Sequence, residues 1–375
     1  MVKGSKEIGV LTIGLDLGDE YVQLCAVDAA GEKVEEARIR MMATALKHRF
    51  GSMAGCRIAM EAGTHSAWVS RLLKACGHEV IVANPRKLRL IYQNDQKRDE
   101  ADAEYLARVA RMDTKLLAPI QHRDAKTQAD LAVLRSRDVL VEARTKLINH
   151  VRGTVKAMGG RIASMSSEAF GSKAEASVPN ELRVALAPVM EMIRGLTQQI
   201  RRYDTWVEEA AQQRYPQTSS LRQVPGVGAL TSMAYVLTVQ DPGRFSNSRK
   251  VGAYLGLRSK QAQSGQEDPQ LRISKAGDGY LRRLLVGSAH YILGPFGPPC
   301  DLRSWGQKLA ARGGKNAKKR AVVAVARKLA VLLHRLWVSQ TPYEPQRAAK
   351  RPASPAPSAA AGSRSSPSVT AAAGA

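Results

Sequence analysis

The chain has 375 residues, and its 57 lysines and arginines outnumber its 33 aspartates and glutamates to give a formal net charge of +24. That length allows two domains with connectors, and the basic excess favours a polyanionic partner. No apolar run reaches membrane-spanning length and no signal-peptide core is evident, so we expect a soluble, cytoplasmic protein without a membrane partner. The scattered Cys25, Cys56, Cys76 and Cys300 lack metal-ligand spacing, which argues against zinc.

Residues 8–115 have the pattern of an α/β domain. Three apolar or alternating runs come first and predict a meander of strands at Ile8–Leu15, Tyr21–Val27 and Val34–Met41. Predicted helices at 43–50, 66–76 and 99–111 then alternate with short strands at 57–60 and 79–83. A strand meander followed by alternating helices and strands predicts a ribonuclease-H-like (RuvC-like) fold.

Four carboxylates in this segment are candidate metal ligands. Asp16 follows the first strand and Glu61 ends the fourth, at positions on the rim of a sheet. Asp99 and Asp102 share one face of a helix, where two like charges repel unless a cation lies between them. Each residue alone also fits a turn or the positive end of a helix dipole. All four in this order predict a two-metal nuclease site.

Residues 125–215 predict a coiled-coil helical hairpin. Apolar residues recur every seven positions from Leu134 to Val155, and steps of four and three continue from Leu182 to Val207. The segment Gly159–Pro179 is rich in glycine, serine and alanine, which is typical of a hairpin tip. We expect an arm that spaces domains or dimerises, and the alternative is a pair of core helices in a bundle.

Residues 220–337 predict a second, mostly α-helical domain, and residues 341–375 a disordered tail dominated by proline, alanine, serine and glycine. The domain opens with a Pro-Gly-Val-Gly motif that predicts a helix-hairpin-helix. Its glycines, Gly226 and Gly228, would let backbone N–H groups approach a phosphate. The alternative is an ordinary turn between helices.

Basic residues of this domain are candidate nucleic-acid contacts. From Asp301 to Trp337 there are ten lysines or arginines and one acidic residue, so the charge is clustered as well as large. The alternative for this run is a solvated helix face. A basic, small-residue turn that enters a helix also suits phosphate. The candidates are Arg272, Lys275, Arg282, Arg283, Lys315, Lys318, Lys319 and Arg320.

These motifs resemble those of DEDD-type insertion-sequence transposases, whose relatives include the bridge-RNA-guided recombinases. The resemblance covers residues 10–337. Gly-Leu-Asp, Glu-Ala and Asp-x-x-Asp-Ala motifs match at the four carboxylates, and the proline-glycine hairpin matches at Pro225–Gly228. Ser264-Gly265 stands at the family's offset after Gly256-Leu257, although local chemistry alone marks Ser264 only as an ordinary loop serine.

The resemblance implies the chemistry. Asp16, Glu61, Asp99 and Asp102 would hold Mg²⁺, and Ser264 would attack DNA to form a covalent phosphoserine link. The family pattern also implies DNA element ends and a DNA target, a structured guide RNA, and a homo-oligomer, either a dimer or a tetramer. The serine loop here is less basic and less glycine-rich than in relatives, so Ser259 stays open as the alternative nucleophile.

Three other functions compete with this interpretation. A RuvC-like junction nuclease would use the carboxylates and water, with Ser264 idle. A sugar-kinase or chaperone-like ATPase would use Ile13–Gly18 as a phosphate loop, but the basic excess argues against that class. A non-enzymatic nucleic-acid-binding protein would leave the four carboxylates unexplained.

Overall fold

A computed structural model of the protein describes residues 11–87, 99–265, 267, 269 and 271–347, without the side chains of residues 99 and 100. The chain divides into two compact units, Met1–Ala132 and Val133–Ala375. The predicted arm from residue 133 onward and the predicted C-terminal domain therefore fall within one unit, and residues 125–132 of the arm belong to the other. The predicted strand residues 8–10 and the tail beyond residue 347 lie outside the described residues.

The first unit is built on a mixed sheet whose strands are β1 (Thr12–Leu17), β2 (Tyr21–Val27), β3 (Lys33–Arg40), β4 (Arg57–Glu61) and β5 (Glu79–Ala83). The strand order is β3-β2-β1-β4-β5. β2 is antiparallel to β1 and β3, whereas β4 is parallel to β1 and β5. The strand positions expected from the sequence are confirmed to within a few residues, and β1 lies at the centre of the sheet.

Helices cover both faces of this sheet. They are α1 (Ala43–Gly51), α2 (Ser66–Ala75) and α3 (Asp99–Met112). On one face, Ile13 and Leu15 of β1 belong to a core that includes Phe50 of α1 and Leu73 of α2. On the other face, small residues of the strands pack against alanines of α3. The mixed α/β architecture predicted for the N-terminal region is confirmed.

The predicted heptad pattern lies on two long helices, α4 (Ala125–Ala157) and α6 (Arg183–Gln213), joined through the short α5 (Ser167–Lys173). The repeat residues of α6 are alternately buried and half-buried from Leu186 to Val207. Ile148 and Val155 of α4 share a core with Phe170 of α5 and Ile193 of α6. The periodic seam is therefore buried within the chain itself.

The rest of the second unit is helical: α7 (Thr218–Arg222), α8 (Ala229–Val239), α9 (Arg249–Tyr254), α10 (Gly279–Leu293), α11 (Asp301–Ala310) and α12 (Ala317–Ser339). The buried hydroxyl of Tyr235 on α8 donates to the Ala330 carbonyl oxygen of α12 over 2.7 Å. Within the part of the chain that the structure describes, no helix is long and apolar enough to cross a membrane.

The segment after α12 departs from the prediction. Residues 341–347, which the sequence assigns to a disordered tail, are held by backbone hydrogen bonds. The Tyr343 N–H donates to Gln223 Oε1 over 2.8 Å, and the Asp301 N–H donates to the Pro345 carbonyl oxygen over 2.7 Å. Composition missed this segment because its order comes from tertiary hydrogen bonds and not from local periodicity.

Candidate active site

Two of the four candidate carboxylates lie on neighbouring parallel strands. Leu15 of β1 pairs with Met60 of β4, so Asp16 and Glu61 are the next residues in the same register. Adjacent strands are about 4.8 Å apart, and alternate side chains share a face. Asp16 and Glu61 follow Gly14 and Ala59 by two residues and therefore lie on the face that α3 covers. Both side chains are partly exposed.

The direction of α3 brings its first turns, with the backbone of Asp99 and Asp102, to the same end of the sheet. Arg57, at the start of β4, donates from Nη1 to the Ala110 carbonyl oxygen near the end of α3 over 3.3 Å. The helix therefore runs antiparallel to β1 and β4. Its first turns, which contain Asp99 and Asp102, lie toward the carboxyl ends of those strands. Asp102 is half-buried, and the Asp99 side chain lies outside the described atoms.

Gly14 permits this arrangement. A Cβ at Gly14 would lie 1.9 Å from the carbonyl oxygen of Ala103 and 2.6 Å from the backbone nitrogen of Ala107, both in α3. The helix backbone therefore rests directly on β1. Gly14 is not among the site residues predicted from the sequence, although glycine inside a strand often marks a close approach of another backbone.

The donor set suits a hard divalent cation, because carboxylate oxygens are the ligands that Mg²⁺ prefers. Among the side chains that the structure describes, a set that leaves out Asp99, no group of three His, Cys, Asp or Glu is placed to hold an ion. The structure therefore places Asp16 and Glu61 on neighbouring strands and Asp102 on the helix that covers them, but it does not bring these three carboxylates together as an ion-binding group.

Histidine side chains form contacts in the loops that follow β1 and β4. His65 Nε2 lies 3.5 Å from Asp19 Oδ1, which joins the loop after Glu61 to the turn after Asp16. Trp68 Nε1 donates to His65 Nδ1 over 3.1 Å, so the proton on this ring belongs on Nε2. His122 Nε2 lies 2.9 Å from the buried Ser66 Oγ. Asp19 and His65, like Ser66 and His122, are distant in sequence, so no local motif identified these two contacts.

Ser264 lies at the tip of a hairpin-like loop in the second unit. The Ser264 N–H donates to the Glu267 carbonyl oxygen over 3.2 Å, and the Glu267 N–H returns a bond of 3.0 Å. Gly265 between them has a φ of +57°, which favours glycine. Ser264 is exposed. Ser259, the alternative nucleophile, instead pairs with Ile273 in the stem of the same loop.

The base of this loop is a tight crossing of two backbones. Gly256 and Gly277 both have positive φ, at +68° and +74°. A Cβ on Gly256 would lie 2.1 Å from the Ala276 carbonyl oxygen, and one on Gly277 would lie 2.1 Å from the Tyr254 carbonyl oxygen. Both positions therefore require glycine. We call residues 254–257 and 275–278 the neck of the serine loop.

The proline-glycine motif forms the turn between α7 and α8. Gly226 has a φ of +78°, and Gly228 directly precedes α8, where nothing would lie within 4 Å of an added Cβ. An open depression of about 580 Å³ lies beside this turn. Both glycines line it, together with Arg222, Arg283, Thr231 and Tyr291. This geometry fits the predicted helix-hairpin-helix, and contact with a phosphate there stays a prediction.

Six of the eight predicted basic contacts form two exposed groups. Lys315, Lys318, Lys319 and Arg320 are exposed around the start of α12. Cations at the positive end of a helix oppose its dipole, so this placement does not serve helix stability. Arg272 and Lys275 are exposed in the loop that carries Ser264. Both sets are on the surface, where a polyanion can reach them.

The other two predicted contacts, Arg282 and Arg283, have partners within the protein. Arg282 Nη1 donates to the carbonyl oxygens of Leu255 and Ala276 over 2.9 and 3.0 Å. Arg283 forms ion pairs with Asp138 and with Glu142, the latter over 2.8 Å. The sequence showed only that both residues are cationic, because their partners come from other elements.

Two segments of the chain match known transposase families. Residues 13–159 match a transposase family of the DEDD type named for IS110, and this match contains all four candidate carboxylates. Residues 218–297 match the transposase IS116/IS110/IS902 family, and this match contains the hairpin glycines, Ser264 and the neck.

Relatives that align over most of the chain are also named transposases. The chain is 30% identical over 341 residues to a probable family 20 transposase of Pseudomonas aeruginosa, across 89% of this chain and 98% of the relative. It is 28% identical to the transposase for insertion sequence element IS1111A of Coxiella burnetii, across 91% and 93% of the two chains. It is also 28% identical to the transposase for IS1328 of Yersinia enterocolitica, across 76% and 84%.

The sheet with its carboxylates, the basic helical unit and these relatives define a transposase, an enzyme that cleaves and rejoins DNA. The chain belongs to the IS116/IS110/IS902 family of insertion-sequence transposases.

Proposed function

We propose that this transposase exchanges DNA strands through a covalent link to Ser264, with metal-assisted chemistry at Asp16, Glu61, Asp99 and Asp102. The observation that carries the proposal is the register of Asp16 beside Glu61 at the carboxyl ends of two parallel strands, under the first turns of α3. The strand order β3-β2-β1-β4-β5 supports a ribonuclease-H-like fold for this unit. Such folds carry ligands at this edge of the sheet.

The carboxylates fit Mg²⁺ by donor chemistry. When bound, Mg²⁺ supplies charge stabilisation at the scissile phosphate and favours the ionised nucleophile. Asp16 and Glu61 contribute oxygens from the strand ends, and Asp99 and Asp102 contribute them from the helix. The close packing of Gly14 on Ala103 fixes the distance between these two groups of ligands.

The covalent step is balanced without an external energy source. Ser264 Oγ forms a bond to phosphorus as the bond from phosphorus to the leaving DNA oxygen breaks, and the serine proton passes to that oxygen. A DNA hydroxyl then attacks the phosphoserine, which restores Ser264 and a phosphodiester. The phosphodiester energy is conserved, so no nucleotide triphosphate is consumed. Both serines are exposed, but Ser264 lies at the tip of a glycine-containing turn whereas Ser259 pairs with Ile273 in the stem, and this position supports Ser264.

The proposed partners follow from the charge and from the family. A net charge of +24, with exposed cations around the start of α12, supports DNA ends, a DNA target and a structured guide RNA as polyanionic partners. We also propose a homo-oligomer, a dimer or tetramer, in which carboxylates and serine from different copies meet. Sequencing the nucleic acid that co-purifies with the protein tests the guide RNA, which should appear as one recurrent structured transcript.

A suicide DNA substrate tests the nucleophile. The wild-type protein with Mg²⁺ should yield a protein–DNA adduct that survives denaturation. The adduct should be lost in Ser264→Ala and in Asp16→Asn, because the serine hydroxyl is a poor nucleophile without the carboxylate site. Ser259→Ala is the matched control and should still form the adduct.

The outcomes separate the alternatives. If the wild type cuts DNA without any adduct and Ser264→Ala cuts equally well, the junction-nuclease function replaces the one proposed. If the adduct persists in Ser264→Ala and disappears in Ser259→Ala, the nucleophile is Ser259. If Asp99→Asn cuts at the wild-type rate with Mg²⁺, the assignment of the four carboxylates is wrong.

A further inference from the structure

A group of charged residues joins the serine loop to the long helix α4, and the transposase chemistry described above does not use it. Its members from α4 are Arg135, Asp138 and Glu142, and its members from the start of α10 are Asp278 and Arg283. We call these five residues the tie. All of them lie in the second unit.

Asp278 connects the tie to the neck. One carboxylate oxygen, Oδ1, accepts from the Leu281 N–H over 2.9 Å and caps the start of α10. The other, Oδ2, accepts from Arg135 Nη2 over 3.0 Å. The Asp278 side chain is only 8% exposed, whereas that of Arg135 is 56% exposed, so a buried carboxylate is paired with a guanidinium that also reaches solvent. Asp278 directly follows Gly277, one of the two neck glycines.

Arg282 and Arg283 are neighbours in one helical turn and bind different partners. Arg283 binds Asp138 and Glu142, which are one turn apart on α4, so its planar guanidinium bridges both carboxylates. Arg282 closes the neck through the carbonyl oxygens of Leu255 and Ala276. A shift of α10 relative to α4 would therefore be transmitted through this turn to both strands of the loop.

We propose that the tie and Arg282 are positioning residues that set the place of the Ser264 hydroxyl relative to α4, and that Arg283 does not act by binding DNA. This proposal rests on Ser264 being the nucleophile. A nucleophile misplaced by about 1 Å can slow attack by about 100-fold. Disturbing the tie should therefore slow covalent attack while DNA affinity is preserved.

Charge reversal with rescue tests the proposal in the full-length protein. The variants are Arg283→Asp, Asp138→Arg and the double variant, with Arg183→Asp, at an exposed position of the arm, as a control of equal charge change. Arg283→Asp should slow adduct formation at saturating DNA by 10-fold or more, with DNA affinity matching that of Arg183→Asp within twofold. The double variant should recover to within about threefold of the wild type, because the guanidinium introduced on α4 would face both Glu142 and the carboxylate introduced on α10.

Hydrogen exchange supplies a second readout that does not depend on catalysis. Backbone amides of Lys260, Ser274 and Lys275 are hydrogen-bonded across the loop stem and neck. Arg283→Asp should speed exchange in a peptide covering residues 256–277, and the double variant should restore protection. The melting temperature of each variant shows whether the whole unit is still folded.

The DNA affinity and the adduct rate of these variants distinguish a positioning role from DNA contact. If Arg283→Asp weakens DNA binding and lowers its salt dependence without rescue in the double variant, Arg283 contacts DNA and the proposal is overturned. An unchanged adduct rate in Arg283→Asp also overturns it. If the wild type forms an adduct through Ser264 and these variants behave as stated, both proposals are supported. If the wild type forms no adduct, the assignment of Ser264 as the nucleophile is wrong, and the positioning role that depends on it is wrong as well.

Discussion

Gly14 in the central strand lies directly against the carbonyl oxygen of Ala103 in α3, with no room for a Cβ between them. The contact joins β1, in which Asp16 is the next-to-last residue, to the helix turn that contains Asp102. A single missing side chain thus sets the spacing between the two groups of proposed metal ligands. A side chain introduced at Gly14 should therefore change both the stability of the first unit and the placement of these carboxylates.

Gly14→Ala should damage both stability and catalysis. The new Cβ would meet backbone atoms of α3 at 1.9 Å, and backbone cannot move aside as a flexible side chain does. We expect a loss of at least about 1–3 kcal/mol in the free energy of unfolding and a large loss of DNA cleavage. Denaturant unfolding and cleavage assays measure the two effects. Gly63→Ala is the control, because nothing lies within 4 Å of a Cβ there.

Neutralising the cations around the start of α12 should weaken the salt dependence of nucleic-acid binding. Each phosphate contact contributes roughly 0.9 to the slope of log affinity against log salt on duplex DNA. Changing Lys315, Lys318, Lys319 and Arg320 to glutamine should therefore lower the slope by up to about 3–4. A variant with four exposed cations of the arm neutralised, Lys146, Lys156, Lys173 and Arg183, controls for net charge. Equal slopes in wild type and the first variant would place the binding surface elsewhere.

The first unit should lose stability in mild acid through His122. Burial, together with Arg71, Lys74 and Arg123, lowers the pKa of His122 below its ordinary value. The unfolded chain then binds a proton at His122 more readily than the folded protein does. The contribution of neutral His122 to the free energy of unfolding is therefore complete above about pH 6.5 and is lost as the pH falls. His122→Gln, which keeps a donor for Ser66, should flatten the decline in melting temperature between roughly pH 7.5 and 5. Parallel curves for the two proteins would contradict this role.

Two truncations should behave differently. Ending the chain at residue 350 should leave the melting temperature nearly unchanged, because the removed residues lack apolar periodicity. Ending it at residue 340 removes the bonds of Tyr343 and Pro345 and should cost roughly 1–3 kcal/mol. Burial also raises the pKa of Tyr343 above its ordinary value, in agreement with a packed segment. A large loss from the shorter truncation would show that the tail itself packs.

Much of the fold could be predicted because its local rules are strong. The strands at Tyr21–Val27 and Glu79–Ala83 were bounded by turn residues, and the seam on α4 and α6 repeated at a helical period. Glu61 was identified because a carboxylate that ends a strand is visible in sequence. Local periodicity failed at residues 341–347, where order depends on distant partners.

The sequence by itself determined the residue types, the order of the elements, the basic excess and the motifs that place this chain among transposases. Only the tertiary structure decided which strand lies beside β1, and hence that Asp16 and Glu61 are neighbours, because strand pairing joins residues 45 positions apart. It also decided that Arg282 and Arg283 have protein partners. The sequence gives the charge of each side chain. Whether a guanidinium pairs with a carboxylate of the protein or is available to bind DNA depends on which helices pack together.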